Sequence, residues 1–226
     1  VLDAAIVAGC ATEPVLEADG DGIHQTAWAL SGEAADALVA AMGDRPLYVT
    51  DGHHRLAAAV EARHRNPDIG DDHPLQWTQA VLFPDAEMQV LAAHRRVGDR
   101  AGRSTDDLVE ALTAIGPLTP CADVAEARPD GAGAIGVYVG GRWFSMDLPA
   151  ASGSRAVDQL DVSRLQDGIL APVMDITDPG SDPMIDYVPE PVGISALVAR
   201  CDADGRVGFV LHATSVAEMM AVADEE

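Results

Sequence analysis

Residues 46–59 read Pro46-Leu47-Tyr48-Val49-Thr50-Asp51-Gly52-His53-His54-Arg55-Leu56-Ala57-Ala58-Ala59. The apolar run from Leu47 to Val49 predicts a buried strand, and the alanine-rich run from Leu56 predicts a helix that stops before Pro67. Between them the five residues Asp51 to Arg55 break the apolar pattern abruptly. A capped helix needs one or two polar residues at its start, so five in a row at a strand-to-helix turn point to a ligand.

The residue types say what kind of ligand. Glycine lets the backbone approach a bound group closely, and the first N–H groups of a helix have no intrahelical partner and carry partial positive charge. The amides after Gly52 therefore suit an anion, phosphate above all, and the always-charged fork of Arg55 can take two phosphate oxygens at once. Adjacent histidines in a turn cannot face the same way, so one of His53 and His54 is expected to meet the ligand while the other packs. Either ring exchanges a proton near neutral pH. Asp51 has three readings: it orients a histidine, holds a metal ion through oxygen, or caps the helix.

A second constellation, His94-Arg95-Arg96, ends a predicted strand from Gln89 to Val97. Strand alternation sends His94 and Arg96 to one face and Arg95 to the other. His94 or Arg95 is the candidate contact for a second substrate or for the phosphate. No two histidines have the i, i+4 spacing of a zinc-protease helix, so no metal site is assigned. His24, His64, His73 and His212 read as surface or ordinary packed residues, and Cys10, Cys121 and Cys201 as small buried hydrophobes.

Working outward, Ala4–Ala8 and Glu13–Glu17 read as short strands in a hairpin, Asp19-Gly20-Asp21-Gly22 as a tight turn, and His24–Leu30 as a strand. Ser31 caps a predicted helix ending at Gly43. Trp77–Phe83 and Gln89–Val97 are predicted strands joined at Pro84-Asp85. Ser104, with Asp107 three residues on, caps a predicted helix to Ile115. Ala134–Val139 and Arg142–Leu148 form a hairpin about Gly140-Gly141. Asp158–Leu170 reads as a helix, residues 172–191 as a long loop, Ile194–Arg200 with Arg206–Leu211 as a second hairpin, and Ser215 as the cap of a closing helix. The order is α+β. It divides into a core over residues 1–100 that carries the Asp51–Arg55 motif and a C-terminal α+β part over 101–226, packed on it as one unit.

Composition bounds the partners. Among 226 residues there are 14 arginines, no lysine, and 37 acids, for a formal charge of −23. That balance argues against duplex nucleic acid as partner, because duplex binding neutralises many phosphates with basic residues. It also excludes Schiff-base and P-loop lysine chemistry. Three cysteines far apart and outside any CxxC pair indicate neither a disulfide framework nor a zinc ribbon. No apolar run approaches the ~20 residues of a membrane span and no signal peptide is evident, so a cytoplasmic location is expected.

The stretch 46–59 resembles the signature of DUF1015, a bacterial and archaeal family related to the ParB/sulfiredoxin superfamily. Val90-Leu91-Ala92-Ala93-His94-Arg95-Arg96-Val97 is similar to that family's second segment, and Leu160-Asp161-Val162-Ser163-Arg164-Leu165 through Ile169-Leu170 to its later helical motif. Thr214-Ser215-Val216 with Met220 to Asp224 is similar to its closing helix. The resemblance implies a ParB/sulfiredoxin-like mixed sheet with flanking helices, followed by a part made of hairpins and helices. In the wider superfamily the loop matching Asp51–Arg55 binds nucleotide phosphates, and known activities include CTP hydrolysis, free-serine phosphorylation and sulfinate repair. Histidine stands where sulfiredoxins place their reactive cysteine. The free-serine kinases share the Asp-Gly-His-His-Arg pattern most closely. The expected function is binding of a nucleotide or phosphate, with small-molecule phosphotransfer as its catalytic form and magnesium carried in by the nucleotide. A non-catalytic module that holds the same ligand as a signal, and a metal-assisted hydrolase, are the alternatives.

Overall fold

The computed structural model describes residues 2–225, apart from the side chains of residues 2, 3 and 5. The chain falls into two compact units, residues 1–78 and 79–226.

In the first unit α1 (Leu2–Cys10) precedes a hairpin of β1 (Leu16–Gly20) and β2 (Ile23–Ala27), followed by α2 (Glu33–Met42) and α3 (His53–His64). The strand reading of Ala4–Ala8 is corrected to helix, as its alanine content favours. The Asp21-Gly22 turn does join two strands: Gly20 pairs with Ile23, and Asp21 and Gly22 take the positive φ values (53° and 78°) that a two-residue hairpin loop requires. The expected strand at Pro46–Thr50 has no regular structure and its residues are exposed or half-buried. α2 and α3 form close to where apolar and alanine-rich spacing predicts them, but the expected Ser31 cap is corrected: the N-cap of α2 is Gly32, with no side-chain cap hydrogen bond. A short 3₁₀ turn at Pro74–Gln76 is tied to α3 by Arg63, whose Nε donates to Gln76 Oε1 at 2.7 Å. Among the described residues of this unit only Gly9 is buried.

The second unit holds a six-stranded sheet. In chain order it comprises β3 (Ala93–Val97), α4 (Thr105–Thr113), β4 (Thr119–Cys121), α5 (Val124–Ala127), β5 (Ala134–Val139) and β6 (Arg142–Asp147). Then come α6 (Ala156–Gln159), α7 (Asp161–Leu165), a π-helical turn (Gln166–Leu170), α8 (Ala171–Met174), β7 (Ile185–Pro189), α9 (Ile194–Asp204), β8 (Val207–Leu211) and α10 (Val216–Asp224). The strand order is β4-β6-β5-β8-β3-β7. Every described pairing is antiparallel, so the expected mixed sheet is corrected to an antiparallel one within an α+β fold.

Alternation along β5 and β8 sends side chains to two cores. Val97, Ile135, Val137, Phe209 and Leu211 pack with Leu108 and Leu112 of α4 and with Leu165, Ile169, Leu170 and Met174 from the α7–α8 segment. On the other face Tyr138, Val188 and Val210 pack with Leu197 and Cys201 of α9. Gly136 lies on that second face, where a β-carbon would come 2.7 Å from the Ala127 carbonyl oxygen, so glycine is what lets α5 sit against β5. Ser104 caps α4 through the Asp107 N–H, and Ser215 and Glu218 form a capping box on α10, as their spacing predicts.

Three further expectations fail between residues 77 and 204. Ile194–Arg200 is helix rather than strand, because Ile194, Leu197, Val198 and Cys201 place one apolar face on the sheet at helical spacing. The expected loop at 172–191 contains α8 and the edge strand β7. Trp77–Phe83 and Gln89–Leu91 have no strand structure, and the strand predicted from Gln89 shortens to Ala93–Val97. That strand pairs with β7 and β8, which puts it in the second unit.

Candidate functional site

The turn into α3 forms because Gly52 adopts φ 82° and ψ 20°, a left-handed conformation that costs glycine little and other residues more. The Leu56 N–H donates to the Gly52 carbonyl at 2.9 Å as the first bond of the helix. The N–H groups of His53, His54 and Arg55 precede that bond, so helix geometry gives them no intrahelical acceptor. The Gly52 N–H is used differently: it donates to Oδ1 of Asp51 at 2.6 Å. Asp51 thus closes the turn from the preceding residue, and no side chain caps α3.

The Arg55 side chain folds back over this turn. Its Nη2 and Nε lie 3.0 and 3.2 Å from where a β-carbon on Gly52 would be, and Nη2 is 3.5 Å from Asp51 Oδ2. The Arg55 side chain is 82% exposed. No acidic residue lies in the first turn of α3, in a chain where acids outnumber bases. One turn of backbone therefore collects three helix-start amides, a guanidinium open to solvent and two exposed imidazoles. Such a set can bind an oxyanion and exchange a proton beside it.

His94 and Arg95, in the second unit, are placed differently. His94 has no exposed surface. The β3–β8 ladder ends at Arg95 with Phe209, and beyond it the Leu211 N–H donates to His94 Nδ1 at 3.3 Å. A neutral His94 therefore carries its proton on Nε2, which lies 2.9 Å from Oε2 of Glu190 but out of line for a straight hydrogen bond. Burial holds the His94 pKa below its ordinary value against the pull of the carboxylate, with Arg128 and Arg95 pushing the same way as burial. Arg128 donates to Oε1 of Glu190 at 2.6 Å. Burial alone would raise the Glu190 pKa. The hydrogen bond and charge of Arg128, with His94, outweigh it and the carboxyl sits below its usual range. Glu190 and Arg128 line a cleft of about 130 Å³ together with His212.

Arg95 donates to the Ala93 carbonyl, and its guanidinium lies 4.4 Å from the ring centre of Tyr187, its cross-strand partner. Arg96 grips Asp186 through Nε and Nη2 and Asp204 through Nη1. Sequence reading missed Arg128 and Glu190, which stand 62 residues apart and carry no local signal. It also took Cys10 as buried, whereas Cys10 is exposed; Cys201 is buried and its thiol is pushed up to about 12 by desolvation. Among the described residues, no group of three or more His, Cys, Asp or Glu is arranged to hold a metal, and no helix is long and apolar enough to cross a membrane.

The model of a family described as a protein of unknown function (DUF1015) matches residues 2–163, nearly three quarters of the chain and the whole Asp51–Arg55 motif. The chain belongs to the DUF1015 family. A search of curated proteins and a search of solved structures each gave no match. In this DUF1015 protein the match takes in the first unit and continues through β3, the β5–β6 hairpin and the start of α7.

Proposed function

We propose that this protein binds a nucleotide or a phosphorylated metabolite with a phosphate seated at the Asp51–Arg55 turn. The observation that supports it most is the position of Arg55: its guanidinium lies against Gly52, in the same turn as the three helix-start N–H groups, and stays open to solvent. Backbone donors and a bidentate cation at a helix start together form a seat for an oxyanion. The resemblance of this turn to the phosphate-binding loop of ParB/sulfiredoxin-like proteins, and to the Asp-Gly-His-His-Arg pattern of free-serine kinases, favours a nucleotide.

In its catalytic form the activity is transfer of the terminal phosphoryl group from a nucleoside triphosphate to a small hydroxyl compound. Phosphoryl transfer relies on positioning and charge stabilisation more than on covalent chemistry by the protein. Arg55 and the α3 amides would stabilise charge on the transferring group, while one histidine of the pair takes the acceptor's proton. Magnesium bound to the nucleotide would neutralise further charge, with Asp51 as the nearest carboxylate of the motif. A module that binds the same ligand without turning it over is the second reading, and it uses the same seat.

Calorimetry of the full chain against ATP, ADP, CTP and phosphoserine, with and without magnesium, tests binding. Analysis of products with free serine and other small alcohols then separates transfer from binding alone. Failure of all four ligands to bind would remove the proposal.

A further inference from the structure

The phosphate seat leaves the organic part of the ligand unplaced, and α3 itself points to where it goes. Successive helix residues are turned by 100°, so residues three or four apart share a face. His53, Leu56, Val60 and His64 follow at spacings of three, four and four and form one row, whereas His54 is turned 100° out of it. Beyond His53 that row becomes one wall of a groove of about 180 Å³, whose other wall is Leu75 to Thr78.

The groove is a built one. Arg63 ties its two walls together by donating to Gln76 Oε1 at 2.7 Å, its Nη1 is held by the Asn66 carbonyl at 3.1 Å, and the Leu75 N–H donates to His73 Nδ1 at 3.2 Å. Its surface is mostly apolar, none of its lining residues is acidic, and Trp77, one of them, is 74% exposed. The volume suits a ring system and is too small for a whole nucleotide.

We infer that this groove takes the heterocyclic base of a nucleotide whose phosphates sit at Asp51–Arg55, with Trp77 as the stacking surface and His53, not His54, facing the ligand. It rests on the phosphate seat proposed above. Aromatic side chains stack on any base face, which makes an exposed indole beside an acid-free groove a fitting platform for the uncharged end of a polyanion. Val60 lies about 10 Å along the helix axis from His53, an interval of the order that a nucleoside sugar bridges between phosphate and base.

The test compares ATP with inorganic tripolyphosphate on the full chain by calorimetry, using wild type, Trp77→Ala, Trp77→Phe and, as a control outside the seat and the groove, Arg65→Ala. Trp77 is exposed, so its replacement spares the fold. The expected result is ATP binding about tenfold or more tighter than tripolyphosphate in wild type, the margin set by base stacking. That margin should vanish in Trp77→Ala, survive in Trp77→Phe and be untouched in Arg65→Ala, with tripolyphosphate binding equal in all four. Equal affinity for the two ligands in wild type, or equal weakening of both by Trp77→Ala, overturns the base site while leaving the phosphate seat standing. Failure of both ligands to bind overturns the seat and the base site together.

Discussion

Asp51 and Arg55 face each other across the first turn of α3, with Oδ2 and Nη2 3.5 Å apart and both side chains almost wholly in solvent. An exposed pair at that separation gains little from its own attraction and gives way readily to a stronger anion. The same carboxylate also holds the Gly52 N–H, so it shapes the turn and competes with a ligand for Arg55.

Asp51→Asn separates those two roles, because asparagine keeps the side-chain oxygen that accepts the Gly52 N–H and loses the charge. Tripolyphosphate binding without magnesium should tighten several-fold in this variant, with an unchanged circular dichroism spectrum. If Asp51 instead receives a nucleotide's magnesium, ATP binding with magnesium should weaken in the same variant while tripolyphosphate alone tightens. Calorimetry under the two conditions reads both effects.

Gly52→Ala strains a left-handed position, at a cost of about 1–2 kcal/mol, and sets a methyl carbon 3.0 Å from the Arg55 guanidinium. The guanidinium is the mobile partner and should swing away. Loss of anion affinity is therefore expected to exceed the loss of thermal stability, a comparison that melting curves and titration of the same sample provide.

The motif itself was legible in sequence because a run of five polar and glycine residues is more than a cap requires. The hairpin of β5 and β6 was legible too, since two largely apolar stretches flank Gly140-Gly141 and glycine permits the tight turn between them. Other elements were hidden for physical reasons. Ile194 to Cys201 contains both an alternating stretch and a helical stripe, and contact with Val188 and Val210 decides for the helix. β7 lies among prolines, which an edge strand tolerates and a sequence reader takes as a loop. Leu47 to Val49 is an apolar run too short to distinguish a strand from a connecting segment by pattern alone. The partners of His94 come from distant stretches of chain, and only the sheet brings Glu190 and Leu211 to it.

His94→Ala should destabilise the protein by about 2–3 kcal/mol, because it leaves the buried Leu211 N–H without its acceptor and removes a packed ring. His94→Asn restores an acceptor near the Nδ1 position and should recover part of that loss. Chemical denaturation of the two variants beside wild type measures the difference.

The pH dependence follows in sign from the same group. The folded pKa of His94 is below the ordinary 6.5, so the unfolded chain binds the proton more readily and stability rises with pH through this interval. Its contribution is complete above 6.5 and declines as pH falls toward the folded value. Glu190, also lowered, adds a further decline only below its ordinary 4.5. The urea midpoint should therefore drop between pH 7 and pH 5 in wild type, and drop less over that interval in His94→Asn.

The phosphate seat is tested most directly by titrating inorganic tripolyphosphate into wild type, Arg55→Ala and Arg65→Ala, the last removing an exposed arginine at the far end of the same helix. Hydrogen bonds to charged groups contribute roughly 1.5–3 kcal/mol, so Arg55→Ala should weaken binding tenfold or more while Arg65→Ala leaves it close to wild type. Equal affinity in wild type and Arg55→Ala would contradict the assignment.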